Sequence, residues 1–303
     1  PEKLLPGQYS GYILNKTLAE QLGDPLPTSN GQMLALFKAG RERGLGIGSD
    51  GAMFGVDVIS PGAIGSYIIG TQVPDFLGLM EGIRWTGGFE KGTASFSGGW
   101  NNCLAALLPL AQEGYLNPQS QSGLKTNSLP IKERMLDGTL LLSYGNVRLF
   151  TQLNEGGSQY EFLMLPFLSD QGNQPWVISS PDGYIGINAA LAQAGGEARL
   201  DACRRILELL STQEGQKAWI ADTAATNSYL LDYENTVDDV PDGLEACVAG
   251  GYVYDIQLPS NVIQYFGQSM ITVLSGREKM ADALALVDDY CRNGSPTVDY
   301  DQS

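Results

Sequence analysis

The stretch Ile131-Lys132-Glu133-Arg134-Met135-Leu136-Asp137-Gly138-Thr139-Leu140-Leu141-Leu142-Ser143-Tyr144-Gly145-Asn146 decides the fold. Its first part carries apolar residues at helical spacing, Gly138 punctuates it, and Thr139 to Ser143 is a short apolar run of strand character. A helix that feeds a strand through a glycine turn is the repeating unit of a layered α/β protein.

The same alternation extends in both directions. Gln32 to Lys38 and Asn102 to Glu113 repeat apolar residues three and four apart, whereas Gly44 to Gly48 and Tyr160 to Leu165 are short runs bounded by Gly or Pro. Leu200 to Leu210 predicts a strong amphipathic helix, and Ser211 to Gln216 offers the cap and start of another. Asn261 to Leu274 and Glu278 to Arg292 give a closing helix pair, and Asn293-Gly294-Ser295-Pro296 stops it ahead of a frayed tail from Thr297 to Ser303. The class is α/β or α+β, and at roughly 150 residues per domain the chain has room for two domains.

Composition narrows the function. The 303 residues carry 18 basic and 34 acidic groups, a formal charge of −16, so nucleic acid and anionic membrane surfaces are repelled. There is no His, which excludes the usual Ser-His-Asp and Cys-His catalysis, His-ligated zinc and an imidazole pH switch. Only 17% of residues are charged, against about a quarter in ordinary domains, so the surface is rich in neutral polar groups. No apolar run reaches the roughly 18 residues of a membrane helix. Cys103, Cys203, Cys247 and Cys291 lie far apart with no CxxC spacing, which speaks for buried thiols rather than a metal knuckle.

In order along the chain, several segments resemble the extracellular solute-binding proteins (family 1) of ABC importers, in the carbohydrate-binding group related to maltose-binding protein. Tyr12-Ile13-Leu14-Asn15-Lys16 with Pro25-Leu26-Pro27-Thr28 is similar to the family's crossing strand and following helix start. Ile131 to Asn146 resembles its helix, turn and strand, and Phe162-Leu163-Met164-Leu165-Pro166-Phe167 the strand that approaches the second hinge. Gly183 to Asn188, Ala202 to Trp219 and Val273 to Leu284 resemble the next strand, a helix pair and the C-terminal helix turn.

The resemblance implies a two-lobed, type II periplasmic-binding-protein-like α/β fold. One lobe, 10–168 plus 252–294, is expected complete; 171–235 is expected as a remnant of the first lobe, whose N-terminal part is missing. It implies reversible capture of a sugar or oligosaccharide between lobes, no catalytic residues, no metal or cofactor, ABC permease subunits as partners, and a place outside the cell as a membrane-anchored lipoprotein or in the periplasm.

Carried over onto this chain, the family's pattern gives a set of candidate ligand residues. Gln8 and Tyr9 occupy the hinge crossing, as ligand donors or as plain hinge. Phe54 falls near a stacking aromatic, or packs as a buried ring in a Gly-rich turn, and Asp57 can accept hydroxyls. Tyr144, Asn146 and Arg148 occupy a second ligand loop, where Arg148 offers a fork to hydroxyls or a carboxylate, or a surface ion pair. Tyr254 and Asp255 precede the last helix pair. Trp85 and Trp100 read as core, and Trp176 as a cleft wall or a hinge lock.

Two other readings stay open. A polyamine-binding protein of the same fold would suit the acidity through Asp57 and Asp255. A glycoside hydrolase needs a carboxylate pair; no spacing singles one out, and Asp238-Asp239 and Asp288-Asp289 read as solvated charges.

Overall fold

The computed structural model describes residues 7–23, 25–56, 61–116, 131–155, 157–181, 186–193, 196–223 and 240–293. Its organising element is β1 (Gly7–Asn15), all of whose described side chains are buried. Asn15 ends the strand and starts α1 (Lys16–Leu22), its side-chain oxygen accepting the Leu18 amide at 3.0 Å. Ser29 caps α2 (Asn30–Arg43) in the same way.

After β2 (Phe54–Gly55) come α3 (Pro61–Gln72), a π-turn (Val73–Leu77), α4 (Met80–Glu90) and α5 (Leu108–Gln112). Then follow α6 (Ile131–Leu136), β3 (Leu142–Asn146), α7 (Val147–Glu155), β4 (Phe162–Leu165) and β5 (Val177–Pro181). A 3-10 turn (Ala189–Ala192), α8 (Glu197–Leu210), α9 (Gln213–Thr223), α10 (Glu245–Ala249), β6 (Val253–Asp255), α11 (Ser260–Leu274) and α12 (Met280–Asn293) complete the order.

The strands form one mixed sheet ordered β2-β3-β1-β5-β6, with β4 also on β1. On one side β1 pairs antiparallel with β3 from Ser10↔Asn146 to Leu14↔Leu142. On the other it changes partner: β5 takes Gly7 to Ser10, and β4 takes Tyr12 to Asn15. Gly11 stands between the two registers. Alternation along β1 then separates two apolar layers. Tyr12 and Leu14 face a large core with α2, α3, α11 and α12, while Tyr9 and Ile13 face a smaller one with Met135, Val147, Leu244 and Cys247.

The helix α3 is buried on nearly every side, and its partner α11 lies against it through two glycines. A Cβ on Gly65 would collide with the Ile263 carbonyl, and one on Gly267 with the Pro61 carbonyl. Side-chain-free positions allow this backbone contact.

Several expectations need correction. Gly44 to Gly48 is not a strand, because Gly44 and Gly46 adopt φ of 68° and 63°, the left-handed region that breaks a pleat. Of Asn102 to Glu113 only α5 is helical; the preceding residues make tight turns such as Cys103 N to Trp100 O, and Gln72 of α3 takes the Cys103 carbonyl. The run at Thr139 becomes strand only from Leu142, since the Asp137 carboxylate holds both the amide and the hydroxyl of Thr139 in the turn. Asp288 is not a solvated charge: it is 6% exposed and accepts the Phe96 and Ser97 amides at 2.6 and 3.1 Å.

Of the strand expected at Gly183 to Asn188, Gly186 to Asn188 are not strand, because the Asn188 side-chain oxygen accepts the Ala190 amide at 2.9 Å and starts the 3-10 turn; residues 183–185, the Asp238-Asp239 pair and the tail lie outside the described residues. Trp85 and Trp100 are core residues, and all four cysteines are free. The amphipathic helix α8 forms as the spacing predicts, yet it has no fully buried residue, and Ile206 and Leu209 are about three-fifths exposed at 57% and 60%.

Candidate functional site

Strand pairing sorts the expected ligand residues onto opposite faces of the sheet. Paired residues point to the same side, so the row Asn146↔Ser10↔Ile178↔Tyr254 lies on the face that carries Gln8, Tyr12 and Tyr144. The row Tyr9↔Ser179↔Asp255 lies on the other face. Tyr254 and Asp255 are consecutive residues of β6, so their side chains point into different layers.

On the first face Tyr144 is half-buried and its hydroxyl is hydrogen-bonded to Ser10 of β1 and Ser66 of α3. Burial pushes this phenol up to about 12, and the two hydroxyl partners only partly offset it. Its ring meets Tyr67 edge-on at 5.3 Å, and the Tyr67 hydroxyl lies 3.2 Å from that of Tyr12. Burial raises both of those phenols well above their ordinary value, so the three hydroxyls stay neutral at any physiological pH. At the far end of the row Tyr254 is half-buried against α4, its hydroxyl hydrogen-bonded to Thr86, and burial raises its pKa too.

Asn146 ends β3 and caps α7: its side-chain oxygen accepts the Leu149 amide at 3.1 Å. Arg148 is exposed in the first turn of that helix. Gln8 is 3% exposed and Tyr9 5%, so both are inside the sheet sandwich, Tyr9 in the smaller core. Asp255 accepts the Gln257 side-chain amide at 3.0 Å. Asp57 lies outside the described residues.

Phe54 needs a correction as a stacking platform. It is 0% exposed, and its ring packs against Tyr12, Phe37 and Tyr67 at centroid distances of 6.4, 6.3 and 5.3 Å. The ring fills the interior under β1, which matches the alternative of a Gly-rich turn with a buried Phe.

Sequence reasoning missed Ser10, Ser66 and Thr86. Ser10 sits two residues after Gln8 on the same face and was reachable from strand alternation. Ser66 and Thr86 stand in helices whose neighbours read as core, and no local pattern marks them. Among the described residues no group of three or more His, Cys, Asp or Glu could hold a metal. The first face therefore offers neutral hydroxyls, amides and aromatic rings, a set suited to hydrogen-bonding and stacking rather than to acid or base chemistry.

No protein-family model and no curated protein matches the sequence. Solved structures do. A family 1 extracellular solute-binding protein from Bifidobacterium longum subsp. infantis aligns with TM-score 0.65 at 15% identity, over 94% of this chain and 71% of that one. A sugar transporter protein from Bacillus licheniformis, in complex with stachyose, aligns with TM-score 0.65 at 14% identity over 95% and 72%. A structure described for xylan utilization by Caldanaerobius polysaccharolyticus gives 0.66 at 15% over 94% and 71%. Identities this low speak for architecture alone, and the architecture is plain: this chain has the α/β fold of the two-lobed extracellular solute-binding proteins.

Proposed function

We propose that the chain is the solute-binding component of an ABC importer and captures a sugar or oligosaccharide without making or breaking a bond. One observation carries the reading: Tyr144, Ser10 and Ser66 converge at one end of the Asn146 to Tyr254 row and Tyr254 and Thr86 at the other, in a fold whose relatives include a stachyose complex. Hydroxyl and amide groups match sugar hydroxyls, and the aromatic rings match the apolar faces of pyranoses.

In this reading Gln8, Tyr144, Asn146 and Tyr254 serve the ligand from the sheet, Asp57, two residues past β2 in the sequence, adds a carboxylate, and Arg148 stands at the rim. Tyr9 and Asp255, on the opposite face, support the hinge. Residues 10–168 with 252–294 form one lobe and 171–235 belong to the other, and the solute lies between them until the lobes part. The closed form docks on permease subunits outside the cytoplasmic membrane; no helix among the described residues is long and apolar enough to cross one.

Calorimetry with raffinose, stachyose, xylo-oligosaccharides and chito-oligosaccharides, with spermidine as control, tests the proposal. Saturable binding of at least one sugar, at a Kd of about a micromolar (~8 kcal/mol), and chromatographic recovery of that sugar unchanged are expected. Binding of spermidine alone, or the appearance of shorter sugars, overturns it.

A further inference from the structure

The segment between β4 and β5 is fastened at two places to the π-turn Val73–Leu77. That turn, closed by the Gly78 amide donating to the Val73 carbonyl at 2.8 Å, is of a rare type that recurs at functional positions. Within it, one carboxylate oxygen of Asp75 accepts the Ser169 hydroxyl at 2.5 Å and the Asn173 side-chain amide at 2.9 Å. The Ser169 oxygen in turn accepts the Gln171 and Asn173 backbone amides at 2.9 and 3.0 Å, and Ser169 is 5% exposed. Asp75 thereby holds Ser169 and Asn173, while Asp170 between them ties the same stretch to the start of α2, accepting the Asn30 side-chain amide at 3.2 Å and the Gly31 backbone amide at 3.1 Å.

Three residues on, the indole of Trp176 lies over Gly78, where a Cβ would come within 2.8 Å of two ring atoms. The same indole meets Tyr252 edge-on at 5.5 Å, just ahead of β6. Its backbone exchanges two hydrogen bonds with Phe167, and the next amide, Val177, donates to the Tyr252 carbonyl. Trp176 is thus the last residue tied to the π-turn before the chain enters β5.

We propose that Asp75 and Trp176 are positioning residues that pin this crossover, so that lobe closure bends the chain beyond Trp176 and solute affinity is set from outside the site. The inference rests on the solute-capture reading above. A loosened crossover would let the lobes sample more orientations, so the orientation competent to bind becomes a smaller fraction, and the apparent affinity falls by that fraction.

The experiment compares Asp75→Ala, Asp75→Asn and Trp176→Phe with the parent chain by calorimetry on the best sugar of the panel and by amide hydrogen exchange. Faster exchange at 169–180 together with a Kd weakened about fivefold or more is expected for Asp75→Ala and Trp176→Phe. Asp75→Asn keeps an acceptor for Ser169 and is expected to fall between parent and Asp75→Ala; it and Trp176→Phe carry the test if Asp75→Ala does not fold. Faster exchange with an unchanged Kd would mean a structural staple and overturns the inference alone, as does unchanged exchange. A parent chain that binds no sugar overturns the capture reading and the inference with it.

Discussion

The carbonyl oxygen of Leu165 lies 2.5 Å from the place a Cβ on Gly11 would occupy. This is the point at which β1 exchanges β4 for β5, so the end of one strand presses on the backbone of another and only a hydrogen fits between them. Gly11→Ala must therefore push β4 away or distort β1. Overpacking of this kind costs about 1–3 kcal/mol, and urea unfolding is expected to show that loss as a lower midpoint with an unchanged slope. A midpoint equal to the parent's would mean that the strands do not approach as described.

A similar argument applies to α3 and α11. Gly65 faces the Ile263 carbonyl and Gly267 the Pro61 carbonyl, so alanine at either position separates the same two helices. Each single substitution is expected to destabilise by about 1–3 kcal/mol. Once one alanine has moved the helices apart, the second meets less resistance, so the double variant should fall short of the sum by about 0.5 kcal/mol or more. Strict additivity in denaturant melts would show two independent contacts instead of one shared interface.

The parts of the fold written in local pattern were legible. The helices at 197–210, 260–274 and 280–293 show their apolar stripes at helical spacing, and Thr212, expected near a helix start, caps α9 by accepting the Gly215 amide at 3.1 Å. What depends on distant partners was not legible. Asp288 reads as a solvated acid because its partners, the amides of Phe96 and Ser97, stand some 190 residues earlier, at separations of 192 and 191. Phe54 sits in a strand of two residues, too short for any period to reveal that both faces are covered. In the candidate site, strand alternation puts the neighbours Tyr254 and Asp255 on opposite faces, but only their pairing with Ile178 and Ser179 shows which of the two shares the face of Tyr144. The exposure of Ile206 and Leu209 is likewise invisible to a pattern that records which residues are apolar and not what meets them.

The hydroxyl of Tyr144 gives the site its most direct test. Tyr144→Phe keeps the ring that packs on Tyr67 and removes the oxygen shared with Ser10 and Ser66. A neutral hydrogen bond contributes about 0.5–1.5 kcal/mol, so sugar affinity should fall roughly twofold to tenfold, with Ser66→Ala close behind. Tyr254→Phe, at the other end of the row, should weaken longer oligosaccharides more than short ones. Calorimetry across a chain-length series reads both effects, and equal losses at every length would place the two tyrosines in one subsite.

Alkali should loosen the molecule in a defined window. Burial pushes the Cys103 thiol and the Tyr144 phenol up to about 12, and the Cys247 thiol up to about 11. Unfolded, these groups release their protons from about pH 9 for the thiols and 10 for the phenol, while the folded chain still holds them. The unfolded state then binds fewer protons than the native state, so stability falls as pH rises. The stabilisation is full below pH 9 and is lost progressively towards pH 12, which urea melts at pH 7, 9 and 10.5 should record as a declining midpoint. The same burial protects the thiols: at pH 7.5 an alkylating reagent should label half-buried Cys203 and Cys291 ahead of buried Cys103 and Cys247. In urea all four should react without reductant, and mass spectrometry that found two thiols locked in a disulfide would contradict the free cysteines described above.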